Sequence, residues 1–92
     1  MTDELATQLA RRQMVLALLY AAENPARVIE VCSTAETSGD ELTRTLADAC
    51  GLSMFQADVI LTMQVRRFSP HAVTQMRAEL LDIDQAIDQL KG

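Results

Sequence analysis

The sequence contains no tryptophan, and aromatic residues make up only 3% of its 92 residues. Glycine and proline are also scarce, with three and two residues, whereas alanine and leucine are frequent. Strands favour aromatic and β-branched residues, and disordered chains are rich in proline, glycine and charge. The composition therefore argues against a mainly β fold and against disorder, and it favours one small helical domain.

Positive charge is in short supply as well. Eight basic residues face thirteen acidic ones, the net charge is −5, and Lys91 is the only lysine. A nucleic-acid-binding protein needs a basic face, so we expect no direct nucleic-acid binding. Two cysteines do not form a disulfide framework, and no apolar run approaches the roughly twenty residues that span a bilayer. We therefore expect a cytoplasmic protein with no membrane association.

Signals for helix starts and ends divide the chain into five segments. Asn24-Pro25 and Ser69-Pro70 each place an N-cap residue before a proline at the first helical position. Residues 38–41 and 53–56 have the pattern of capping boxes, and Gly51 suits a left-handed helix end. These signals predict an all-α fold with helices near 3–23, 25–36, 39–50, 54–68 and 70–90.

The first and last helices carry apolar residues at alternating spacings of three and four, which is typical of a coiled coil. In the first helix, which has Arg12 as one polar member, the seam comprises Leu5, Leu9, Leu16 and Leu19. In the last helix it comprises Val73, Met76, Leu80, Ile83, Ile87 and Leu90. Two matched seams predict an antiparallel two-helix coiled-coil stalk, with three shorter helices over about residues 25–68 as its head, in a single domain over residues 1–92. A plain five-helix globule is the alternative.

The fourth predicted helix is apolar nearly all round. Phe55, Val59 and Met63 form one apolar stripe, and a second stripe runs through Leu61 and Val65. Such a helix must be covered on more than one side. We expect a partner protein to supply part of that cover.

Residues 51–68 read GLSMFQADVILTMQVRRF. This segment resembles the G-L-S-x-x-Q-A-x-A-I-L-x-M-x-L-x-R-L segment in the DNA-cleaving subunit of the bacterial type IIA topoisomerases, DNA gyrase and topoisomerase IV. Residues 15–24 and 28–31 are similar to that family's descending stalk helix and first head helix, and residues 78–81 fit its returning stalk helix. The resemblance covers nearly the whole chain in one order.

In that family this region is the C-gate, or exit gate, a dimer interface at the end of coiled-coil arms that opens to release a transported DNA duplex. The resemblance therefore implies a non-catalytic homodimerisation or protein-interaction module. Nothing matches the family's winged-helix domain or its Arg-Tyr nucleophile pair, so we expect no enzymatic activity, and Tyr20 is not assigned as a nucleophile. The implied interface residues are Ile60, Leu61, Gln64, Val65, Arg67, Phe68 and His71.

The segment also departs from the family pattern. Thr62 replaces a common acidic residue, and Phe68-Ser69-Pro70 replaces the usual Leu-Thr-Gly. Two alternatives follow from the resemblance: a modulator or inhibitor that pairs with the exit gate of a type IIA topoisomerase, or a fragment of that family's DNA-cleaving subunit. A third alternative is a small helical enzyme, because residues 76–84 faintly resemble the first helix of chorismate mutases.

The remaining reactive residues predict no cofactor and no metal. Cys32, Cys50 and His71 lack the short spacings of a metal site, and the cysteines are interpreted as buried free thiols. His71, the only histidine, is interpreted as a surface or interface residue without a titration role. The doublets Arg11-Arg12 and Arg66-Arg67 are expected to pair with acids within or across subunits.

Overall fold

Helices account for most of the chain in the computed structural model, which describes residues 2–36 and 38–92. No strand occurs within these ranges, so the predicted all-α class is confirmed. A 3-10 turn, Val65–Phe68, separates the last two helices. The five α-helices are α1 (Thr2–Glu23), α2 (Pro25–Thr34), α3 (Asp40–Cys50), α4 (Met54–Leu61) and α5 (Pro70–Lys91).

Three of the predicted boundary signals work as expected. The Ser53 side chain accepts from the Gln56 N–H at 3.1 Å while Gln56 Oε1 accepts from the Ser53 N–H at 3.2 Å, which completes a capping box. Gly51 ends α3 in the left-handed conformation with φ of 67°, where a side chain would be strained. Ser69 caps α5 through the Ala72 N–H, with Pro70 in the first turn.

Two other signals mark the right place but work differently. The predicted Ser38 capping box is not formed, because Gly39 is the N-cap of α3 and makes no side-chain bond. Asn24 precedes α2 as predicted, yet its side-chain amide donates back to the Tyr20 carbonyl at 2.9 Å and does not cap α2. The Asn24 side chain therefore secures the end of α1, and only its backbone carbonyl, which accepts from the Val28 N–H at 3.3 Å, takes part in the start of α2.

The predicted fourth helix over 54–68 is wrong in its second half. α4 ends at Leu61, and its last turn is tight, because the Thr62 N–H donates to both the Asp58 and Val59 carbonyls at 3.2 and 3.3 Å. A straight helix would place residues 61, 65 and 68 on one face. The break lets Leu61 and Phe68 pack against the core, whereas Val65 faces solvent.

Two apolar clusters hold the helices together. The first joins α1 to α5 through Val15, Leu18, Leu19, Met76, Ile83 and Ile87. The second joins the other face of α1 to the three short helices through Ala17, Ala21, Val28, Val31, Leu46, Ala47, Ala57 and Ile60. The small, fully buried Ala17 and Ala21 let α1 approach its neighbours closely. Val59 and Met63 pack against both clusters.

α1 and α5 run in opposite directions. Glu23 at the end of α1 pairs with Arg77 near the start of α5, and Arg12 in the middle of α1 pairs with Asp84 further along α5. The molecule measures 46 × 28 × 18 Å, so the two long helices set its longest dimension. No helix in the described ranges is both long enough and apolar enough to cross a lipid bilayer.

Candidate functional site

A concave surface lies where the 3-10 turn meets the first turn of α5. It encloses a volume of about 380 Å³ and is open to solvent. We call it the turn groove, and it is lined by Gln64, Arg66, Arg67, Ser69, His71, Ala72 and Gln75.

Backbone hydrogen bonds fix the shape of this surface. The Arg67 N–H donates to the Gln64 carbonyl at 3.0 Å, and the Ser69 N–H donates to the Arg66 carbonyl at 3.1 Å. Gln64 and Ser69 at its two ends are extended, and the Ser69 hydroxyl accepts from the Ala72 N–H of α5 at 3.2 Å. The groove is therefore formed by a turn tied to the helix that follows it.

The turn groove is basic although the chain is acidic. No carboxylate lines it, and residues 59–78 contain no aspartate or glutamate in a chain of net charge −5. Arg66 Nε donates to Gln64 Oε1 at 2.7 Å, which orients the guanidinium. Within the described ranges, the ion pairs use Arg11, Arg12, Arg27 and Arg77, so neither groove arginine is neutralised there.

Four of the predicted interface residues lie on this exposed region. Val65 is 80% exposed, the most exposed large apolar side chain of the described residues. Gln64, Arg67 and His71 are also exposed and line the turn groove. The structure thus brings Gln64, Arg67 and His71 together at the turn groove, whereas Val65 is exposed on the same turn but does not line the groove.

The other three predicted interface residues contact the core of their own chain. Ile60 is only 4% exposed and belongs to the cluster that joins α1 to the short helices. Leu61 and Phe68 are half-buried and pack against that same cluster. The intramolecular core therefore leaves only the outer parts of Leu61 and Phe68 for a partner, and almost nothing of Ile60.

In the first helix, the packed register differs by one residue from the predicted seam at some positions but not at all of them. Leu9 is 42% exposed and Leu16 is half-buried, whereas Val15 is 1% exposed and lies in the cluster with α5. Leu5 and Leu19 do pack toward α5. Both registers have the same alternating spacing, so spacing alone could not distinguish them.

The predicted seam of the last helix lies mostly on the packed face of α5. Met76, Ile83 and Ile87 are buried against α1. Val73 and Leu80 are half-buried against the same cluster, and Leu90 is half-buried near the end of the helix.

A second open groove runs between the N-terminal half of α1 and the C-terminal part of α5. It encloses about 400 Å³ and is lined by Leu9, Arg12, Asp84, Ile87, Asp88 and Lys91. Arg12 Nε donates to Asp84 Oδ1 at 2.7 Å within it. Its charges are of both signs, so it does not favour a ligand of either charge.

The cysteine and tyrosine side chains form no catalytic arrangement. Burial raises the pKa of the Cys32 thiol, with a smaller contribution from Cys50 nearby, so Cys32 is not activated as a thiolate. Hydrogen bonding to Cys50, followed by burial, raises the pKa of Tyr20. No cluster of three or more metal-ligating side chains occurs in the described part of the chain.

Two features of this region were outside the sequence-based interpretation. Arg66 and Arg67 are predicted to pair with acids within or across subunits, and among the described residues neither has a carboxylate partner, whereas Arg11 and Arg12 pair with Glu79 and Asp84. The acid-free stretch 59–78 was a readable signal for a basic surface. The groove itself depends on the break after Leu61, which the apolar pattern does not reveal.

Comparison with protein-family profiles finds no match for this chain, and comparison with curated proteins finds none either.

Proposed function

We propose that this protein is a non-catalytic interaction module that pairs with a second copy of itself through the turn. The observation that carries this proposal is Val65, an aliphatic side chain that is 80% exposed on a hydrogen-bonded turn. Single exposed apolar residues are common, but this one directly follows Gln64 in the chain, and Gln64, Arg67 and His71 line the turn groove. We call these four residues, with the outer parts of Leu61 and Phe68, the turn surface.

The fixed shape of the turn supports this role. Leu61 and Phe68 pack against the core on either side of Val65, and Ser69 ties the turn to α5. A side chain displayed on an ordered segment loses little conformational freedom when it is covered. In a two-fold dimer the same surface is used by both protomers, so Val65 would lie near its own counterpart.

Charge limits the strength of such a dimer. Arg66 and Arg67 of the two copies would approach each other, and like charges in an interface oppose association. We therefore expect dissociation constants in the micromolar range or weaker, and we expect added salt to strengthen the dimer by screening the repulsion.

Light scattering coupled to size-exclusion chromatography tests the homodimer. The wild-type mass should rise from 10.1 kDa towards twice that value as concentration increases. Val65→Lys should remain monomeric, because it adds a positive charge to a contact that already holds Arg66 and Arg67 of both copies. The matched control is Leu81→Lys on α5, where the native side chain is 65% exposed, and it should dimerise like the wild type. A wild-type mass that stays at the monomer value at all concentrations contradicts the proposal.

A mixed pairing with the exit gate of a type IIA topoisomerase is the second candidate. The segment that resembles that family, residues 51–68, also carries the exposed apolar side chains Met54, Phe55 and Val65. A chain with a similar surface could replace one partner of a two-fold contact. The mixed dimer would occupy the gate surface of one arm and so keep that arm from pairing with its natural partner.

A supercoiling assay with rising amounts of this protein tests the mixed pairing. Strand passage should fail, with a mixed species on native gels, and the Val65→Lys variant should leave supercoiling unchanged. Unchanged supercoiling at a tenfold molar excess, on the order of tens of micromolar and ample for a transient interface, would contradict it.

The same proposal includes a stalk-and-head arrangement, with α1 and α5 as an antiparallel coiled-coil stalk and α2 to α4 as its head. Its support is the shared α1–α5 cluster and the pairing of Glu23 with Arg77. In a background with both native cysteines replaced by alanine, Glu23→Cys should crosslink to Arg77→Cys and not to Asp88→Cys.

A further inference from the structure

We infer that the turn groove binds an acidic segment of a partner protein, with carboxylates on Arg66 and Arg67 and an apolar side chain on Val65. The inference rests on the proposed interaction role of the turn and specifies the chemistry of the partner. It does not require that the protein dimerises.

Arg66 and Arg67 have no carboxylate partner among the described residues, whereas four of the other five arginines there have one. Arg44 on α3 also has none, but unlike Arg66 and Arg67 it does not line the groove. Arg66 uses Nε to donate to Gln64 Oε1 at 2.7 Å, so its terminal nitrogens stay available in a fixed orientation. A guanidinium held in this way can make paired hydrogen bonds to a carboxylate.

The electrostatic field at the groove also favours a bound carboxylate. The stretch 59–78 contains no acid, and no carboxylate lines the groove. The positive end of the α5 dipole lies at the same place, since Ser69 is the N-cap and Ala72 lies in the first turn. A carboxylate that enters the groove therefore meets cationic groups without competition from a neighbouring side chain.

The size and surroundings of the groove favour a peptide over a single small anion. Its volume of about 380 Å³ exceeds what one anion fills, and it is open along one side. Val65 does not line the groove, but it precedes Arg66 in the turn and is exposed, so a segment that extends beyond the groove has an apolar side chain to contact. Two adjacent carboxylates and an aliphatic side chain on one short segment would use both features.

Nucleic acid fits this surface less well. Non-specific affinity grows with the number of phosphates neutralised, and two arginines with one histidine can neutralise only a few. The remainder of the chain, with a net charge of −5, repels a long polyanion. A short acidic segment places its charge only where the groove is basic.

Titration of ¹⁵N-labelled protein by NMR tests the inference. The probe is an acetylated, amidated Glu-Glu-Leu-Glu-Glu peptide, and its matched control replaces every glutamate by glutamine. We expect chemical-shift changes at residues 64–72 with the acidic peptide but not with the glutamine peptide. The affinity for the acidic peptide should fall as sodium chloride rises from about 50 to about 500 mM. Added salt should strengthen the homodimer but weaken peptide binding, so the salt response distinguishes dimerisation from peptide binding.

Substitution controls complete the test. Arg66→Gln with Arg67→Gln should weaken peptide binding about tenfold or more, because charge-assisted hydrogen bonds are lost. Arg44→Gln, which changes an exposed arginine on α3, should bind the peptide like the wild type. Equal binding of the glutamine peptide, equal loss in Arg44→Gln, or no shifts at millimolar peptide would overturn the inference.

Two further probes identify other anions. Inorganic phosphate that displaces the peptide at equal concentration would point to a small-anion site, and a twelve-nucleotide single-stranded DNA that binds more tightly than the peptide would point to nucleic acid. Either result overturns the acidic-segment inference. A monomeric protein that still binds the peptide would leave this inference standing while removing the homodimer.

Discussion

Arg12 of α1 and Asp84 of α5 form an ion pair, with Nε and Oδ1 2.7 Å apart, at the one polar position in the predicted seam of α1. Their side chains remain 38% and 44% exposed, so water screens the pair. An apolar residue at the edge of a helix pair can replace such an interaction at little cost. The pair therefore explains why an arginine is tolerated between the two long helices.

The first prediction concerns this pair. Arg12→Leu should change the free energy of unfolding by less than about 1 kcal/mol, because gained apolar contact offsets the lost ion pair. Asp84→Asn, the matched change in the other partner of the ion pair, should lower the free energy of unfolding by about 0.5 kcal/mol. Urea unfolding at low and high salt measures both. A loss above about 2 kcal/mol in Arg12→Leu would show that the pair is a major source of stability.

The second prediction concerns Gly51, which has φ of 67° and ends α3. A Cβ built there meets no atom within 4 Å, so the cost of a side chain is conformational only. Gly51→Ala should lower the free energy of unfolding by about 1 kcal/mol, and Gly51→Asn by less, because asparagine tolerates the left-handed region better. Equal urea midpoints for the wild type and Gly51→Ala would contradict this account of the turn.

The third prediction compares two neighbouring residues of α5. Ile83 is fully buried against α1, whereas Leu81 is 65% exposed. Ile83→Ala should lower the free energy of unfolding by about 3 kcal/mol, and Leu81→Ala by less than about 0.5 kcal/mol. Thermal and urea unfolding measure the difference. Similar losses in the two variants would show that α5 presents another face to α1.

The fourth prediction concerns pH. Burial, followed by the neighbouring Cys50, raises the pKa of Cys32 above its ordinary value of 9.0. The folded state then holds the thiol proton more tightly than the unfolded state, so this contribution is complete below about pH 9 and declines as pH rises through the folded pKa. The wild-type urea midpoint should therefore stay constant below about pH 9 and decrease as the pH rises above that value.

The matched variant isolates the contribution of Cys32. Cys32→Ala alters packing at every pH, so the comparison uses the slope of stability against pH and not its absolute value. The raised pKa of Tyr20 acts in the same direction at higher pH and is present in both proteins. Identical slopes for the wild type and Cys32→Ala would assign the alkaline loss to other groups.

Local signals in the sequence predicted the helix boundaries well where a single residue determines them. Backbone preference alone explains the signals at Pro25 and Gly51. One nearby hydrogen bond explains those at Ser53 and Ser69. These effects depend on a few adjacent residues, so they can be read from a short window of sequence.

Features that depend on distant contacts could not be read in the same way. The helical pattern continues through Leu61, Val65 and Phe68, but α4 ends at Leu61, and Val65 faces solvent while Phe68 packs against the core. The choice between Val15 and Leu16 in the α1 seam likewise depends on where α5 docks. The interface residues were implied by the family resemblance, which carries no information on how α4 packs in this chain, and Ile60 is found within the core.

Met63 lies just after the break between α4 and the turn, and its side chain packs against both apolar clusters. Val59, one helical turn earlier, does the same. Neither cluster can lose its packing without exposing side chains that the other also uses. The chain should consequently unfold in a single cooperative transition, and a shortened version without α5 would not retain a folded set of short helices.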